Sequence, residues 1–505
     1  MSKSLLTTSP ISDKTRQVRD SILYVLPLLV GNLLPFVTLP ILTRILSIDD
    51  YGVLALAQVY AAVVSGLVNF GMIIAYDRNY FQYRQDPRSA AALLYSSMAF
   101  VSLLSAVCLS VTFIFRKPLA DRIIGASVGG DILVVALAAG CMLILNQFYY
   151  LYLRNSENAR AYIGYTITGN LITVVLSLYL VVVARSGVIG LVWAPLISQI
   201  IIFMAMSWRF LRSVKLFFDW AILRESLRIS YPLIPRMFLG TIDNQFDKYM
   251  IGLLNTLGGV GIYRIGQQIA MLGFSYMTQL ENVFLPRVYR SMFDDHQTGG
   301  EMAGRTLTPF AYVSIVLALA IALFSEEVIA LLTAPSFHGA ADIVMVLSIY
   351  SGFLFFGKII GTQLLFKKKT FLTSVMGIAG LVLNIALCIP FIKIWGAIGA
   401  AWAVLLANIL CRGPFFLVAQ RLYKVHWEYR KLAAIYGVFI GSVLITMLLR
   451  QMDISYYQRL LFKLLAMAGY VYIGFRIGIL TGENWLMLKN LATSSAAWKT
   501  GKKDA

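Results

Sequence analysis

Several long apolar segments of this sequence contain basic side chains. A charge near the middle of a membrane-spanning helix costs about 2.5–3.5 kcal/mol on insertion scales, so it normally faces a cavity or a partner. Guanidinium groups bind phosphate oxygens in pairs, and ammonium groups supply a compact positive charge. These residues therefore predict a cationic cavity that binds an anion such as a diphosphate. The candidates are Arg78, Arg236, Lys248, Arg264, Lys358 and Arg412.

Two carboxylates accompany these cations. Asp243 lies seven positions after Arg236, and Asp247 lies four positions after Asp243. This spacing places the three residues on one face of a helix. They either bind a coupling ion or neutralise the nearby cations in a structural ion-pair network, and the sequence leaves both alternatives open. Uncharged polar groups in neighbouring apolar segments are further candidates for the cavity wall: Asn32, Gln267 and Gln268.

Motifs for other kinds of chemistry are incomplete. The segment 352–359 fits GxxxxGK, but Ile359 stands where Ser or Thr would contact the metal, and no strand precedes this apolar segment. The three histidines fall in separate loops, and the four cysteines lie inside apolar segments without metal-ligand spacing. We therefore expect no catalytic residue, no cofactor and no metal. The 43 basic residues are spread over short loops, which argues against nucleic acid as a partner.

The elements that position these charges are predicted to be membrane-spanning helices. The chain is 59% hydrophobic and only 13% charged, which excludes a water-soluble core. Apolar runs of roughly 20 residues recur along the chain, and they lack the alternation of barrel strands. The fold class is therefore all-α and polytopic, with about fourteen helices. Their predicted centres lie near residues 33, 64, 102, 142, 173, 198, 243, 273, 315, 351, 382, 407, 441 and 470.

The basic residues also predict how the chain is oriented. Most of them fall in loops on one side of the membrane, which the positive-inside rule assigns to the cytoplasm together with both termini. Residues 213–230 mix basic with large apolar side chains at helical spacing, as in a helix that lies in the membrane interface.

An internal repeat divides the sequence. A shift of 209 positions takes Gly52 onto Gly261 and superimposes the segment 187–197 on 396–406 with several identities, among them Trp193 with Trp402. The repeat indicates that the first twelve predicted helices arose by duplication of six. The two halves should then be related by a pseudo-twofold axis along the membrane normal. The predicted domains are an N-terminal lobe (1–212), an amphipathic linker (213–230), a C-terminal lobe (231–422), and two further helices with a basic cytoplasmic tail (423–505).

Short motifs of the chain resemble a known family. Residues 40–52 (PILTRILSIDDYG), 230–235 (SYPLIP), 247–252 (DKYMIG) and 261–264 (GIYR) resemble the Wzx-type polysaccharide flippases of the MATE-like (MOP) transporter superfamily. The resemblance covers about the first 420 residues, and the two extra C-terminal helices depart from the twelve-helix form of many members.

This resemblance implies a function and partners. It implies two six-helix lobes around a central cavity that opens alternately to each side of a bacterial inner membrane. The implied cargo is an undecaprenyl-diphosphate-linked oligosaccharide unit of O-antigen, capsule or exopolysaccharide, recognised by basic residues of which Arg264 is the best candidate. Membrane lipids, a glycan polymerase and chain-length machinery are the expected partners.

Two other functions are alternatives. A MATE-type cation or drug antiporter shares the fold, but its cavity should be acidic overall. Here two embedded acids are outnumbered by five of the basic candidates, all except Arg78 at the end of a helix. A membrane glycan polymerase or ligase would be an enzyme of a different class. It should place its reactive groups in a large extracytoplasmic loop, and the predicted loops on that side are short. We therefore expect a transporter.

Overall fold

The computed structural model describes residues 30–31, 33–125, 130–213, 216–294, 299–452 and 454–479. Within these ranges the chain is helical and has no β-strand, which confirms the predicted all-α class. The described residues form two compact units. The first runs to Arg264 and includes Leu332–Phe337, and the second comprises Ile265–Leu331 and the residues from His338 onward. The predicted lobe boundary at residue 231 stays a prediction.

The described part of the first unit contains ten α-helices and the start of an eleventh. α6 packs against α2, α4 and α8 and so occupies the middle of this unit, while α10 packs against α2. Aromatic residues fill its core, where the rings of Tyr76 and Phe148 meet edge to face at 5.4 Å. The helices are α1 (Leu33–Leu42), α2 (Ile48–Asn69), α3 (Met72–Tyr83), α4 (Pro87–Ile114), α5 (Arg116–Ile123), α6 (Gly130–Asn155), α7 (Ala159–Leu178), α8 (Gly187–Ser213), α9 (Trp220–Ser230), α10 (Ile234–Leu254) and α11 (Leu257–Asp294).

Where the structure describes it, the second unit contains the rest of α11 and seven further α-helices. α14 packs against α12 and α16, and α16 packs against α15. The last two helices pack against each other and against α12. The helices are α12 (Gly299–Leu323), α13 (Ser325–Leu332), α14 (Ala340–Phe366), α15 (Thr370–Trp395), α16 (Ala397–Leu422), α17 (Tyr429–Gln451) and α18 (Tyr456–Arg476).

Ten of the described helices are long and apolar enough to cross a membrane: α2, α4, α6, α7 with its π-helical extension to Val183, α8, α12, α14, α15, α16 and α17. The predicted centres near 243, 273 and 470 fall in α10, α11 and α18, which are not among these ten helices. The described part of the first predicted helix is short. The chain is thus a multi-pass membrane protein, and the number fourteen stays a prediction.

Local sequence explains where the helices begin and break. Ser47 and Asp50 form a reciprocal capping box at the start of α2. Asp86 accepts the first free amides of α4, and Pro87 occupies its first position. The sequence predicted a single helix centred near residue 64, but left-handed backbone at Phe70 and Gly71 ends α2 there and separates it from α3.

The predicted amphipathic linker contains α9. Ile222 and Leu223 are buried on its inner face, whereas Arg224 and Arg228 are exposed on the opposite face. α9 packs against α3 and α4, and Asn79 of α3 donates to Ser226 at 3.1 Å. The helix is therefore fixed to the first unit through both apolar and polar contacts.

Candidate anion-binding site

The candidate site is formed by the beginnings of α2 and α11 together with α10. The capping box places Tyr51 in the first turn of α2, and Arg264 lies two turns into α11. The guanidinium carbon of Arg264 lies 5.9 Å from the ring centroid of Tyr51, which is a cation–π distance. The Tyr51 side chain is almost fully buried, with 5% of its surface exposed.

Lys248 brings a second cation to this site. Its charge is attracted by Asp247 and repelled by Arg264, so the three groups belong to one electrostatic cluster. Asp247 is buried and accepts a hydrogen bond from the Tyr263 hydroxyl at 3.1 Å. The cluster therefore contains two basic groups, Arg264 and Lys248, together with the Asp247 carboxylate.

Arg264 has an unused donor. Its Nη1 atom is buried and has no hydrogen-bond partner among the described residues. A buried donor without a partner costs about 1–3 kcal/mol, and more when the group is charged. Such a donor next to a second cation is suited to bind an anionic ligand that supplies the missing acceptor.

The other predicted residues of the first unit lie in different surroundings. Arg236 and Asp243 are exposed on α10, whereas Asp247 of the same predicted face is buried. Arg78 is exposed on α3, donates to Asn79 and Gln82, and lies 3.8 Å from Glu225 of α9. Asn32 lies outside the described residues.

In the second unit, Lys358 has an acidic partner, Glu281, that was not among the predicted residues. Its Nζ atom lies 2.7 Å from the Glu281 carboxylate, which joins α14 to α11. Gln267 and Gln268 are half-buried on α11. The sequence left open a structural ion-pair network in which Asp243 and Asp247 neutralise the cations. The pair between Lys358 and Glu281 is of that kind, but its acid is a different residue.

Arg412 lies against another side of α14. Its guanidinium donates to the Phe353 carbonyl at 3.4 Å and lies 5.9 Å from the Tyr350 ring centroid. Gly357 makes this approach possible, because a Cβ atom there would lie 2.6 Å from the guanidinium. Arg412 also lines an apolar pocket of about 490 Å³ between α14, α16 and α17, together with Phe356 and other aromatic residues. Lys358 is not among the residues that line this pocket.

Tyr51, Tyr263 and Glu281 were missed by residue-type reasoning. Tyrosines are common in helical cores, so composition alone did not separate Tyr51 and Tyr263 from packing residues. Both stand inside the short motifs that carry the family resemblance, and that position was the available signal. The described residues contain no group of acidic, histidine or cysteine side chains that could hold a metal ion.

Comparisons with known proteins give the family and the fold. The family model described as "Polysaccharide biosynthesis protein" matches residues 41–342, more than half of the chain. The comparison with curated protein sequences found no match.

Solved structures of transporters share the fold. The lipid II flippase MurJ in an inward closed conformation has a TM-score of 0.68 at 16% identity, covering 92% of this chain and 100% of its own. An inward-facing multidrug resistance MATE family transporter of the MOP superfamily has a TM-score of 0.63 at 17% identity, covering 80% of this chain and 98% of its own. The bent form of the Vibrio cholerae MATE transporter VcmN has a TM-score of 0.51 at 14% identity, covering 81% and 98%.

At such low sequence identity, the similarity to these structures shows only a shared fold. The match to the family model shows which family the chain belongs to. The helical spans, the resemblance in the short motifs and the two comparisons agree with one another. This chain belongs to the polysaccharide biosynthesis protein family and has the fold of MOP-superfamily transporters.

Proposed function

We propose that this protein is a flippase for an undecaprenyl-diphosphate-linked oligosaccharide unit, such as a repeat of O-antigen, capsule or exopolysaccharide. It moves this lipid from the cytoplasmic to the periplasmic leaflet of a bacterial inner membrane by alternating access, with both termini in the cytoplasm. Family membership supports a role in polysaccharide biosynthesis, and the printed name of one structural neighbour, lipid II flippase, supports a lipid-linked cargo.

The observation that carries the proposal is the unused donor of Arg264 beside Lys248. A diphosphate carries several acceptor oxygens and a negative charge, so it supplies both the hydrogen bond that Nη1 lacks and the counter-charge that Asp247 supplies only in part. Transfer of a diphosphate through hydrocarbon is costly because an unpaired charge loses its hydration. A buried cationic pair lowers that cost by replacing water as the partner.

The two basic groups also separate this proposal from a cation antiporter. A cationic cargo would be repelled by the positive charges of Arg264 and Lys248. The remaining predicted contacts, Arg236, Lys358, Arg412 and Arg78, are assigned in this proposal to other positions along the transport path.

The energy source is part of the proposal. We infer coupling to an ion gradient or to the membrane potential. Asp243 is an exposed carboxylate, and it lies at the predicted centre of a membrane-spanning helix. Flipping that continues at the same rate after every ion gradient has been collapsed would remove this inference.

A reconstituted flipping assay tests the function. Wild-type protein in proteoliposomes should transfer an undecaprenyl-diphosphate-linked glycan to the opposite leaflet, where an added glycan-specific lectin or enzyme detects it. Arg264→Gln should reduce the initial rate by about tenfold or more, since it removes the charge and most donors of the guanidinium. Lys248→Gln should reduce it less, because Lys248 already interacts with Asp247.

A matched variant controls for general loss of charge. Arg305→Gln removes a guanidinium from an exposed i,i+4 ion pair with Glu301, and its flipping rate should equal that of the wild type. Wild-type rates in folded, membrane-inserted Arg264→Gln would contradict the substrate role, and transport of organic cations with no glycolipid transfer would favour the antiporter.

A further inference from the structure

The apolar pocket of the second unit lies outside the candidate anion site. Its volume is about 490 Å³, which is in the usual size range of ligand pockets, and its wall is almost wholly apolar. α14 and α16 form two of its sides, and α17, which lies outside the internal repeat, forms the third. Water finds few hydrogen bonds in such a cavity, whereas a hydrocarbon chain of the bilayer fills it at no loss of hydration.

One residue on the pocket wall has an unused hydrogen-bond donor. The Trp427 side chain is 5% exposed, and its Nε1 atom is buried without a hydrogen-bond partner among the residues that the structure describes. Buried indole N–H groups usually find an acceptor. The ring centroid of Trp427 lies 5.4 Å from that of Phe356 and 6.1 Å from that of Phe416, so the indole is packed into the wall. The pocket thus combines an apolar interior with one donor, which suits an acyl chain that begins at an ester carbonyl.

Arg412 also lines the pocket, but its charged group contacts α14. The guanidinium donates to the Phe353 carbonyl and lies 5.9 Å from the ring centroid of Tyr350, which is not among the pocket-lining residues. The charge that attracts an anionic head group to this pocket must therefore come from residues outside it.

Exposed basic residues lie at the end of α14, beside the segment that leads to Trp427. The helix ends in a Schellman-type turn, in which the Lys369 amide donates back to α14 and Lys368 has left-handed backbone with φ of 58°. The turn exposes three consecutive lysines, and the Lys367 Nζ atom lies 5.6 Å from the Tyr423 ring centroid. Gln363 of α14 donates to the Tyr423 carbonyl at 2.8 Å, which holds the two segments together. Further exposed basic residues of the second segment are Arg421, Lys424 and Arg430.

We propose that the second unit binds an anionic phospholipid of the cytoplasmic leaflet. One acyl chain occupies the pocket, the Trp427 Nε1 atom donates to the ester carbonyl, and residues 367–369 bind the phosphate group. The predicted orientation places these lysines on the cytoplasmic side, where clusters of basic residues attract anionic lipid head groups. The site is separate from that of the transported lipid. Its pocket has the size for a single acyl chain, and the much longer undecaprenyl chain would not fit within it.

Native mass spectrometry of the purified, delipidated protein measures this binding. Dioleoyl phosphatidylglycerol is the anionic probe, and dioleoyl phosphatidylcholine has the same chains with a zwitterionic head group. We expect phosphatidylglycerol to bind about tenfold more tightly, because only its head group has a net charge for the lysines. Equal affinities for the two lipids would overturn the proposal.

Two surface and wall variants separate the parts of the site. Replacement of Lys367, Lys368 and Lys369 by Gln should lower the phosphatidylglycerol affinity about tenfold and leave phosphatidylcholine unchanged. Trp427→Phe keeps an aromatic ring but removes the donor, so it should weaken both lipids about threefold. The control replaces Arg224 and Arg228, which are exposed on α9, by Gln and should bind both lipids as the wild type does. Wild-type affinities in the folded triple-lysine variant and in Trp427→Phe would overturn the assignment.

A pocket-filling variant tests the acyl-chain position. Gly413 lines the pocket, and a Cβ atom built there would meet nothing within 4 Å, so Gly413→Leu should fold and occupy part of the cavity. It should weaken phosphatidylglycerol binding about tenfold. Gly377→Leu on α15 is the matched control, since its Cβ would also meet nothing within 4 Å and Gly377 does not line the pocket. Equal phosphatidylglycerol affinities for the two glycine variants would contradict the position of the chain.

Competition with undecaprenyl phosphate identifies the occupant. This lipid should not displace phosphatidylglycerol from the wild type, and Gly413→Leu should not change its binding. If undecaprenyl phosphate displaces phosphatidylglycerol and Gly413→Leu abolishes its binding, the pocket belongs to the polyprenyl chain and the phospholipid site is overturned.

Discussion

At the residue scale, Arg264 differs from the other predicted cations in what surrounds its charged group. Lys358 is paired with Glu281, and Arg78 lies among the polar side chains of α3 and α9. Arg264 instead faces an aromatic ring and a second cation, and one of its nitrogens is buried without an acceptor. These surroundings leave Arg264 available to a ligand.

Asp247 should act on anion affinity with the opposite sign. Asp247→Asn removes the carboxylate that partly balances Lys248, so the cluster becomes more positive and should bind undecaprenyl diphosphate about three- to tenfold more tightly. A binding titration at constant ionic strength measures this. Tyr263→Phe, which removes only the hydrogen bond to Asp247, is the control and should change the affinity little. Weaker binding by Asp247→Asn would show that the carboxylate does more than balance charge.

At the element scale, the last two helices are held to the second unit by a charge cluster. Lys463 of α18 is fully buried and donates to Glu326 at 3.0 Å and to Glu327 at 2.7 Å, both on α13. Arg459 adds a contact to Glu326 at 3.2 Å, and the rings of Tyr312 and Tyr470 stack at 4.8 Å between α12 and α18. These contacts give the helix pair a fixed position on the unit.

Removal of the buried ammonium should loosen this attachment. Lys463→Ala leaves two carboxylates facing each other and should lower the free energy of unfolding by about 3–5 kcal/mol. Lys463→Met combined with Glu326→Gln and Glu327→Gln should recover most of that loss, because it removes both signs of charge together. Thermal unfolding in detergent compares the variants. Equal midpoints for Lys463→Ala and wild type would contradict a structural role for the cluster.

The same cluster should make stability depend on pH. Burial raises the pKa of Glu326, but the hydrogen bond from Lys463 and the charges of Lys463, Arg459 and Arg450 outweigh it and leave that pKa below its ordinary value. A carboxyl with a lowered folded-state pKa stabilises the fold above its ordinary pKa of about 4.3 and loses that contribution as the pH falls through the folded value. The unfolding temperature of the wild type should therefore decrease as the pH is lowered below about 4. That of Glu326→Gln should decrease less.

The attachment of α9 is open to a similar test. The Tyr83 hydroxyl donates to Glu225, and this hydrogen bond raises the pKa of Tyr83 to about 12. Glu225→Ala should release the polar side of α9 from α3 and speed amide hydrogen exchange in α9 several-fold. The polar partners of Glu225 all lie on α3, so exchange in α7 is the internal control. Unchanged exchange in α9 would mean that the buried apolar face alone holds the helix.

At the scale of the whole molecule, much of the fold follows from the sequence. Apolar runs of membrane length and their lack of strand alternation predicted the all-α membrane class, and the short motifs predicted the family. Helix breaks were predicted less well, because the break at Phe70 and Gly71 lies inside a long apolar run in which only Asn69 is polar nearby. The surroundings of each embedded charge also could not be predicted, since they depend on which side chains neighbouring helices bring near it.

The internal repeat likewise predicts which positions are equivalent but not how they pack. The offset identified Gly52 and Gly261 as equivalent positions, but only coordinates show that each packs against the other helix at a distance that excludes any side chain. Asymmetry within the repeat was visible in advance. The position equivalent to Arg264 is Ala55, so only one copy of the duplicated helix carries the guanidinium.

Equilibrium binding of undecaprenyl diphosphate to purified wild-type and Arg264→Gln protein tests the central claim most directly. We expect Arg264→Gln to weaken binding by about thirtyfold or more, corresponding to at least ~2 kcal/mol, with an intermediate loss for Arg264→Lys and none for Arg305→Gln. Equal affinities for wild type and a folded Arg264→Gln variant would contradict the assignment of this guanidinium to the diphosphate.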